Sequence, residues 1–417
     1  MDANDAVERA GRESYGRLLA FLSARSRDIA AAEDALADAF GAALTSWPRS
    51  GVPASPEGWL LTTARRKLID AARRRNVQER SMPALLLAAE EAEARMNEGL
   101  GLGDERLKLL FISAHPAIDA AIRTPLMLQT VLGLDAARIA SAFCVSPAAM
   151  ARRLTRAKAR IREAGIPFQP PEPEELAARL DAVLEAIYAA YGSGWDDVAG
   201  GIPGLRGLAD EAIYLGRLIV AFLPREPEAR GLLALMLHCE ARRAARRNAR
   251  GAYVPLDEQD CALWSAPLAQ EAEEQLAEAS HAGRPGRFQL EAAIQSVHAR
   301  RVVTGETDWE AVALLYEGLV RLAPTIGALV GRAAAVARAR GAETGLALLR
   351  ELPGAAVETY QPYWALKAHL LAKAGSIVEA RQTYERAIGL CDDAAMRAFL
   401  IDQAERIVAS RQPNGPH

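Results

Sequence analysis

Arginine and lysine side chains are concentrated in two stretches of the sequence, residues 61–80 and 135–164. Each stretch carries seven basic residues against two acidic ones. Guanidinium and ammonium groups neutralise phosphates, so such clusters could bind nucleic acid. A run of charge is more often a solvated helix face, however, and the interpretation depends on the elements that carry it.

The sequence gives no comparable sign of catalysis or metal binding. His238, Cys239 and Glu240 are adjacent, and neighbouring residues on a helix point about 100° apart, so they cannot easily converge on one metal ion. We find no G-x-x-x-x-G-K-S/T phosphate loop, no dinucleotide-binding glycine fingerprint and no G-x-S-x-G elbow. We therefore predict that the protein is not an enzyme and has no catalytic residue, metal site or cofactor.

The second basic stretch has the pattern of two helices joined by a short turn. The first helix, 135–142, is expected to direct Ile139 and Phe143 toward a core, and Ser146 and Pro147 suit the N-cap and first position of the second helix. Apolar residues then recur along that helix at steps of four, three and four: Met150, Leu154, Ala157 and Ile161. The other face combines small residues with arginines, which suits the DNA major groove: Ala148, Ala149, Arg152, Arg153, Arg156 and Arg160. An ordinary helical hairpin with a basic face is the alternative.

The first basic stretch follows an acidic helix and a loop. Residues 31–44 predict an amphipathic helix with Asp34 and Asp38 four apart, and with three core residues: Leu36, Phe40 and Leu44. The segment 47–58 holds three prolines and two glycines and predicts a loop, and 59–75 predicts a basic helix. Arginines near aromatic rings and a flexible loop suit single-stranded DNA, although Trp47 and Trp59 could simply be core residues.

Composition places these segments in an all-α protein. The chain has 417 residues, is rich in Ala, Leu, Glu and Arg, and has only 6% aromatic residues. Strand patterns are nearly absent apart from a fragment at 301–304. The net charge of −3 excludes a global polycation, so a nucleic-acid site must be local. Four unpaired cysteines and the lack of a roughly 20-residue apolar run favour the cytoplasm and no membrane contact.

Proline and glycine divide the chain into segments. We predict helical domains at 5–80 and 104–166, joined by a linker at 81–103. Four prolines at 167–173 predict a stiff spacer, followed by a helical domain at 174–411.

In this order, the segments resemble the extracytoplasmic-function sigma factors of bacterial RNA polymerase, in the sigma-70 family. The resemblance is carried by AAEDALADAFGAALTSWPRSGVPASPEGWLLTTARRKLIDAARRR, by ERLKLLFISAHPAID and by LDAARIASAFCVSPAAMARRLTRAKARIREAGIPF. It implies two small helical sigma domains, the second a helix-turn-helix, in a protein that binds core polymerase and directs promoter-specific initiation.

The resemblance also implies roles by position. The acidic helix would face the clamp helices of the polymerase β′ subunit, through Glu33, Asp34 and Asp38. The loop 47–58 and the helix 59–75 would melt and recognise the downstream promoter element, through Arg65, Arg66, Lys67, Arg73 and Arg74. The helix 147–162 would recognise the upstream element, through Ala148, Ala149, Arg152, Arg153 and Arg156. The β flap is the second expected polymerase contact.

Residues 363–390 have tetratricopeptide-repeat spacing, and Gly341 precedes Gly375 by that repeat's period of 34 residues. The positions are Trp364, Ala368, Leu371, Gly375, Ala380, Tyr384 and Ala387. This resembles the sigma subgroup with a C-terminal tetratricopeptide-like domain, which is thought to tune sigma activity by contacting the sigma domains. The subgroup often has cysteines before His115-Pro116, where this chain has Ser113 and Ala114.

Two other functions stay open on the sequence. A tetratricopeptide scaffold could use its basic helices to bind protein or RNA, and a helix-turn-helix repressor could act without polymerase. Binding to core polymerase separates the sigma-factor hypothesis from both.

Overall fold

The computed structural model describes residues 3–74, 102–143, 145–169, 171–196 and 207–409. The chain is 78% helical, with 20 α-helices and no β-strand in those ranges, which confirms the predicted all-α class. An isolated antiparallel bridge joins Arg247 to Tyr253. None of the helices in the described part is both long and apolar enough to cross a membrane.

The chain forms two compact units, Met1–Ile219 and Val220–His417. The helices of the first unit are α1 (Ala3–Ser26), α2 (Ile29–Ser50), α3 (Pro56–Arg74), α4 (Leu102–Ser113), α5 (Ala120–Thr130), α6 (Ala136–Ala142), α7 (Pro147–Glu163) and α8 (Pro173–Asp196), with most of α9 (Leu208–Phe222). The predicted linker at 81–103 falls almost wholly outside the described residues.

The second unit continues from the end of α9. Its helices are α10 (Pro227–Ala241), α11 (Ala266–Ser280), α12 (Arg287–Ala299), α13 (Arg301–Thr304), α14 (Trp309–Leu322), α15 (Ile326–Arg340), α16 (Ala342–Arg350), α17 (Gly354–Val357), α18 (Gln361–Lys373), α19 (Ile377–Gly389) and α20 (Ala394–Ala409). Three short 3-10 helices follow α10, at Arg243–Arg246, Leu256–Glu258 and Cys261–Leu263.

Helices α1, α2 and α3 pack around one apolar core, and Trp47 is at its centre. The Trp47 side chain is 2% exposed, and its ring meets that of Trp59 edge-on at 5.5 Å between centroids. Burial of this large ring keeps the last turn of α2 helical even though Pro48 follows it. The chain leaves the helix only at Gly51, whose φ of 84° few other residues adopt.

Two expectations for this region were therefore wrong. The predicted loop at 47–58 is shorter, because α2 extends to Ser50 and α3 begins at Pro56. Leu44 is not a core residue, since 49% of it is exposed, whereas Leu36 is fully buried and Phe40 packs at the edge of the core.

The helix-turn-helix forms as the capping residues predict. The Asp135 carboxylate accepts a hydrogen bond from the Arg138 amide at the start of α6, and Ser146 Oγ accepts one from the Ala149 amide at the start of α7. The predicted apolar face of α7 is buried throughout: Met150, Leu154, Ala157 and Ile161. Phe143 was wrongly expected in the core. It is the C-cap of α6 and 37% exposed, because the chain leaves the helix there.

The start of the C-terminal extension belongs to the first unit. Helix α8 begins at Pro173, directly after the non-helical residues of the predicted spacer, and packs against α5 and α4. On α9, Glu211 pairs with Arg106 of α4, whose guanidinium lies 4.6 Å from the ring centroid of Tyr214.

The second unit is built from packed helix pairs, including α14 with α15 and α18 with α19. The small and aromatic positions that the repeat spacing selected are mostly buried: Ala368, Leu371, Ala380, Tyr384 and Ala387. Trp364 is half-buried and donates from its indole Nε1 to the Val357 carbonyl, 3.0 Å away. The fragment 301–304 is the short helix α13 and not a strand.

We predict that Trp47→Ala lowers the free energy of unfolding of the first unit by about 3–5 kcal/mol, because it removes a buried indole and leaves a cavity. Urea denaturation followed by circular dichroism measures the change. Leu44→Ala, on the same helix but half-exposed, is the control and should change stability by about 0.5 kcal/mol or less. Equal effects of the two substitutions would contradict the position of Trp47 in the core.

Candidate nucleic-acid interface

The outer face of α7 carries an exposed basic surface. Ser146 and Pro147 fix where the helix begins, and the buried apolar face fixes its rotation, so the arginines point outward. The side chains of Ala148, Arg152, Arg153, Arg156 and Arg160 are exposed, and that of Ala149 is half-buried. Small residues at the first turn followed by arginines can approach base edges and phosphates in a major groove.

A groove beside α7 divides these arginines. It has a volume of about 430 Å³, and its apolar wall includes Ile118 and Ile122 near the start of α5. Arg153, Arg156 and Arg160 line it, and Arg152 does not. The arginines of α7 therefore have two different environments. Three of them lie beside the groove, and Arg152 lies on the open face of the helix.

The predicted downstream-element residues lie on α3. Arg66 and Lys67 are exposed and Arg65 is half-buried. The Lys67 ammonium lies 3.7 Å from the carboxylate of Asp38 on α2, and an exposed pair of this kind adds little stability. Arg73 and Arg74 are in the last turn of α3, but their side chains lie outside the described set.

The predicted polymerase-binding acids on α2 have two different environments. Asp34 and Asp38 are exposed, four residues apart on one face. Glu33 is half-buried, and its carboxylate pairs with the ammonium of Lys158 on α7. Burial, followed by the neighbouring Glu33 carboxylate, raises the pKa of Tyr15 well above its ordinary value.

Lys158 is among the seven basic residues of its stretch, and the charge pattern predicts no separate role for it. It lies four residues after Leu154 and three before Ile161, so the helical period does place it on the buried face of α7. The sequence carried this signal. Its partner, 125 residues away, had no local signal.

The His238, Cys239 and Glu240 side chains do not converge. Glu240 pairs with Arg243 at 2.6 Å, and His238 faces Glu273, with 3.5 Å between Nε2 and Oε1. Burial raises the pKa of the Cys239 thiol. Across the described ranges, no three His, Cys, Asp or Glu side chains are grouped so that they could hold a metal ion.

Residues 12–77, which span α1 to α3, match the sigma-70 region 2 family. The N-terminal part of the chain therefore carries a sigma-70 region 2, which supports membership of the sigma-70 family. This supports a sigma-factor-like role in transcription initiation, and with it binding to core RNA polymerase and promoter DNA.

Two further matches extend beyond this N-terminal region. Residues 179–280, from α8 to the end of α11, match a family of unknown function, DUF6596. An uncharacterized protein of Rhizobium meliloti (strain 1021) is 38% identical over 408 residues, which are 97% of this chain and 95% of that protein. The two are therefore members of one family along nearly their whole length. No solved structure matches.

Two buried histidines of the second unit predict a pH dependence of stability. Burial lowers the pKa of His238 and of His298 to about 4 from 6.5. Between these values the unfolded state binds protons that the folded state does not. The free energy of unfolding should thus fall as the pH is lowered from about 7 to 4, by up to about 1.4 kcal/mol per pH unit for each histidine.

Urea denaturation at a series of pH values measures this slope. His298→Gln should make it shallower, and His281→Gln, at an exposed position after α11, should leave it unchanged. A slope that is the same in all three proteins would contradict the buried neutral state of His298.

Proposed function

We propose that this protein is a sigma factor of the extracytoplasmic-function type. It binds core RNA polymerase in the cytoplasm, directs promoter-specific initiation, and is regulated by its C-terminal helical domain. The observation that carries the proposal is a capped helix-turn-helix with an exposed arginine face, in the same compact unit as the sigma-70 region 2 match. The chemistry of RNA synthesis belongs to the polymerase, so the chain itself needs no catalytic residue.

For the polymerase contacts, the open acidic face of α2 supports docking on the β′ clamp through Asp34 and Asp38. Two exposed carboxylates one helical turn apart complement a basic surface and steer its approach. The β flap is the proposed contact of the helix-turn-helix domain.

For the DNA contacts, α7 would enter the major groove of the upstream element with its N-terminal turn, Ala148 and Ala149, against the bases. Arg152 on the open face is the best placed to contact base edges, and Arg153 and Arg156 are placed to contact backbone phosphates from beside the groove. On α3, the exposed Arg66 and Lys67 support contacts to the melted downstream strand, as part of a basic surface that includes Arg65, Arg73 and Arg74.

Contacts of the extension support its regulatory role. Helix α8 packs on α5, directly before the helix-turn-helix, and the Glu211 carboxylate of α9 pairs with the buried Arg106 of α4. A movement of α8 or α9 would therefore alter the packing of α4 and α5, which belong to the same domain as the helix-turn-helix.

Run-off transcription of fragmented host genomic DNA by purified core polymerase, with and without the protein, tests the proposal. We expect new discrete start sites. Arg152→Ala or Arg156→Ala should lower their yield about five- to hundredfold, the range for one lost base or phosphate contact, without reducing polymerase binding. Arg381→Ala, an exposed arginine of α19, is the control and should leave the yield unchanged.

Unchanged yield in both α7 variants would contradict this choice of DNA-binding residues. No new transcripts and no polymerase complex would instead favour the scaffold or the repressor.

Reversing the acidic face of α2 should weaken the complex with core polymerase. For Asp34→Arg with Asp38→Arg we expect at least a tenfold loss of affinity, since two attractive charges become repulsive. Biolayer interferometry with immobilised polymerase measures it. Glu274→Arg with Glu278→Arg, an exposed acidic pair of the same spacing on α11, is the matched control. Equal affinity of the two double variants would remove the polymerase role from α2.

A further inference from the structure

Helices α2 and α7, which carry the two predicted interfaces, are in contact with each other within the first unit. The centre of the contact is the pair formed by Lys158 and Glu33, whose side chains are only 8% and 22% exposed. At the edge, the Arg162 guanidinium lies 3.3 Å from the carboxylate of Asp28. The inner face of the helix-turn-helix is thus bound to the acidic helix by two ion pairs.

The α1–α3 bundle meets the helices α4–α7 at a second patch, where the fit is steric. A methyl group at Gly16 of α1 would overlap the backbone carbonyl of Val131, just after α5, so the absence of a side chain permits this approach. Opposite it, the turn residue Gly133 has φ +69°, and a Cβ there would lie 3.0 Å from the ring of Tyr15. Two glycines facing their partners' backbone and ring indicate a close-fitting contact.

A third patch joins α1 to α4. The Arg25 guanidinium lies 2.9 Å from the buried carboxylate of Glu105 and 4.0 Å from the ring centroid of Phe21. The contact between the α1–α3 bundle and the helices α4–α7 therefore combines buried ion pairs with close packing.

This contact affects the two predicted interfaces differently. The Glu33 carboxylate is paired with Lys158 and is no longer open to a partner, and α7 lies beside Asp28 at the start of the acidic helix. The contact leaves Arg152, Arg153 and Arg156 exposed. The closed unit can therefore present its arginine face to DNA while part of its acidic helix is covered.

We propose that the contact of α7 with α2 is an autoinhibitory latch, in which Lys158 holds Glu33 until core polymerase displaces α7. The inference rests on the proposed function and adds its regulation. When only a minor fraction of a protein is in its binding-competent form, the apparent Kd equals the intrinsic Kd divided by that fraction. Weakening the latch increases the fraction and therefore tightens polymerase binding.

Two substitutions open the latch by different means and leave the open acidic face intact. Gly16→Ala inserts a methyl group against Val131, and Lys158→Glu turns the central pair into a repulsion. For each we expect about tenfold tighter binding to core polymerase, measured with the full-length chain. Gly192→Ala is the control for the first, since Gly192 lies in α8 with nothing within 4 Å of its added Cβ, and it should bind as the wild type does.

The charge swap Glu33→Lys with Lys158→Glu checks the pairing independently of polymerase. Small-angle X-ray scattering should show a larger radius of gyration for Lys158→Glu than for the wild type, and a return to the wild-type value in the swap. A circular dichroism spectrum of Lys158→Glu with the helix content of the wild type would show that the variant had opened without unfolding.

The outcomes separate the two proposals. Tighter polymerase binding by both opening variants supports the latch. Equal or weaker binding, with the wild type still bound, overturns the latch and leaves the sigma-factor function standing. A radius that the swap does not restore also overturns the pairing. If no form binds polymerase, the proposed function fails and the latch with it.

Discussion

The half-buried carboxylate of Glu33 constrains how α7 packs against the first three helices. A carboxylate that leaves water needs a cation and hydrogen-bond donors, because its desolvation otherwise exceeds what packing returns. Lys158 supplies the cation and the Tyr15 hydroxyl a hydrogen bond. These three groups belong to α2, α7 and α1, so meeting this one requirement joins α7 to the bundle at a defined point.

The consequence is that the side chains of α7 have three different environments. Its apolar face, with Leu154 and Ile161, completes the core of its own domain. Its inner basic residues, Lys158 and Arg162, pair with the acidic helix. Its outer arginines, among them Arg152 and Arg156, stay exposed. The seven basic residues of this stretch thus divide according to the 3.6-residue period, and their count alone overstates the exposed basic surface.

The parts of the structure that local rules govern were predictable from the sequence. The capping geometry of Asp135 and Ser146, the buried face of α7 and the small residues of α18 and α19 follow from capping and periodicity, which act over a few residues.

Where distant packing decides, prediction from the sequence failed. Pro48 and Gly51 suggested a loop beginning at Trp47, but burial of the Trp47 ring extends the helix past the proline. Leu44 and Phe143 have the right spacing for a core, yet 49% of Leu44 and 37% of Phe143 are exposed. The roles of the arginines and of Asp34 and Asp38 in binding stay predictions, since they depend on partners outside the chain.

Arg106 links the start of the extension to the helices that precede it. Its guanidinium is buried on α4, and that burial lowers its pKa because the charged form loses water. The carboxylate that compensates for this loss is Glu211 of the extension, and Tyr214 covers the guanidinium plane. Removing the partner of a buried charge costs far more than the net worth of the pair. The packing around α4 thus depends on α9, because without it the buried Arg106 would lose its paired carboxylate and the ring that covers it.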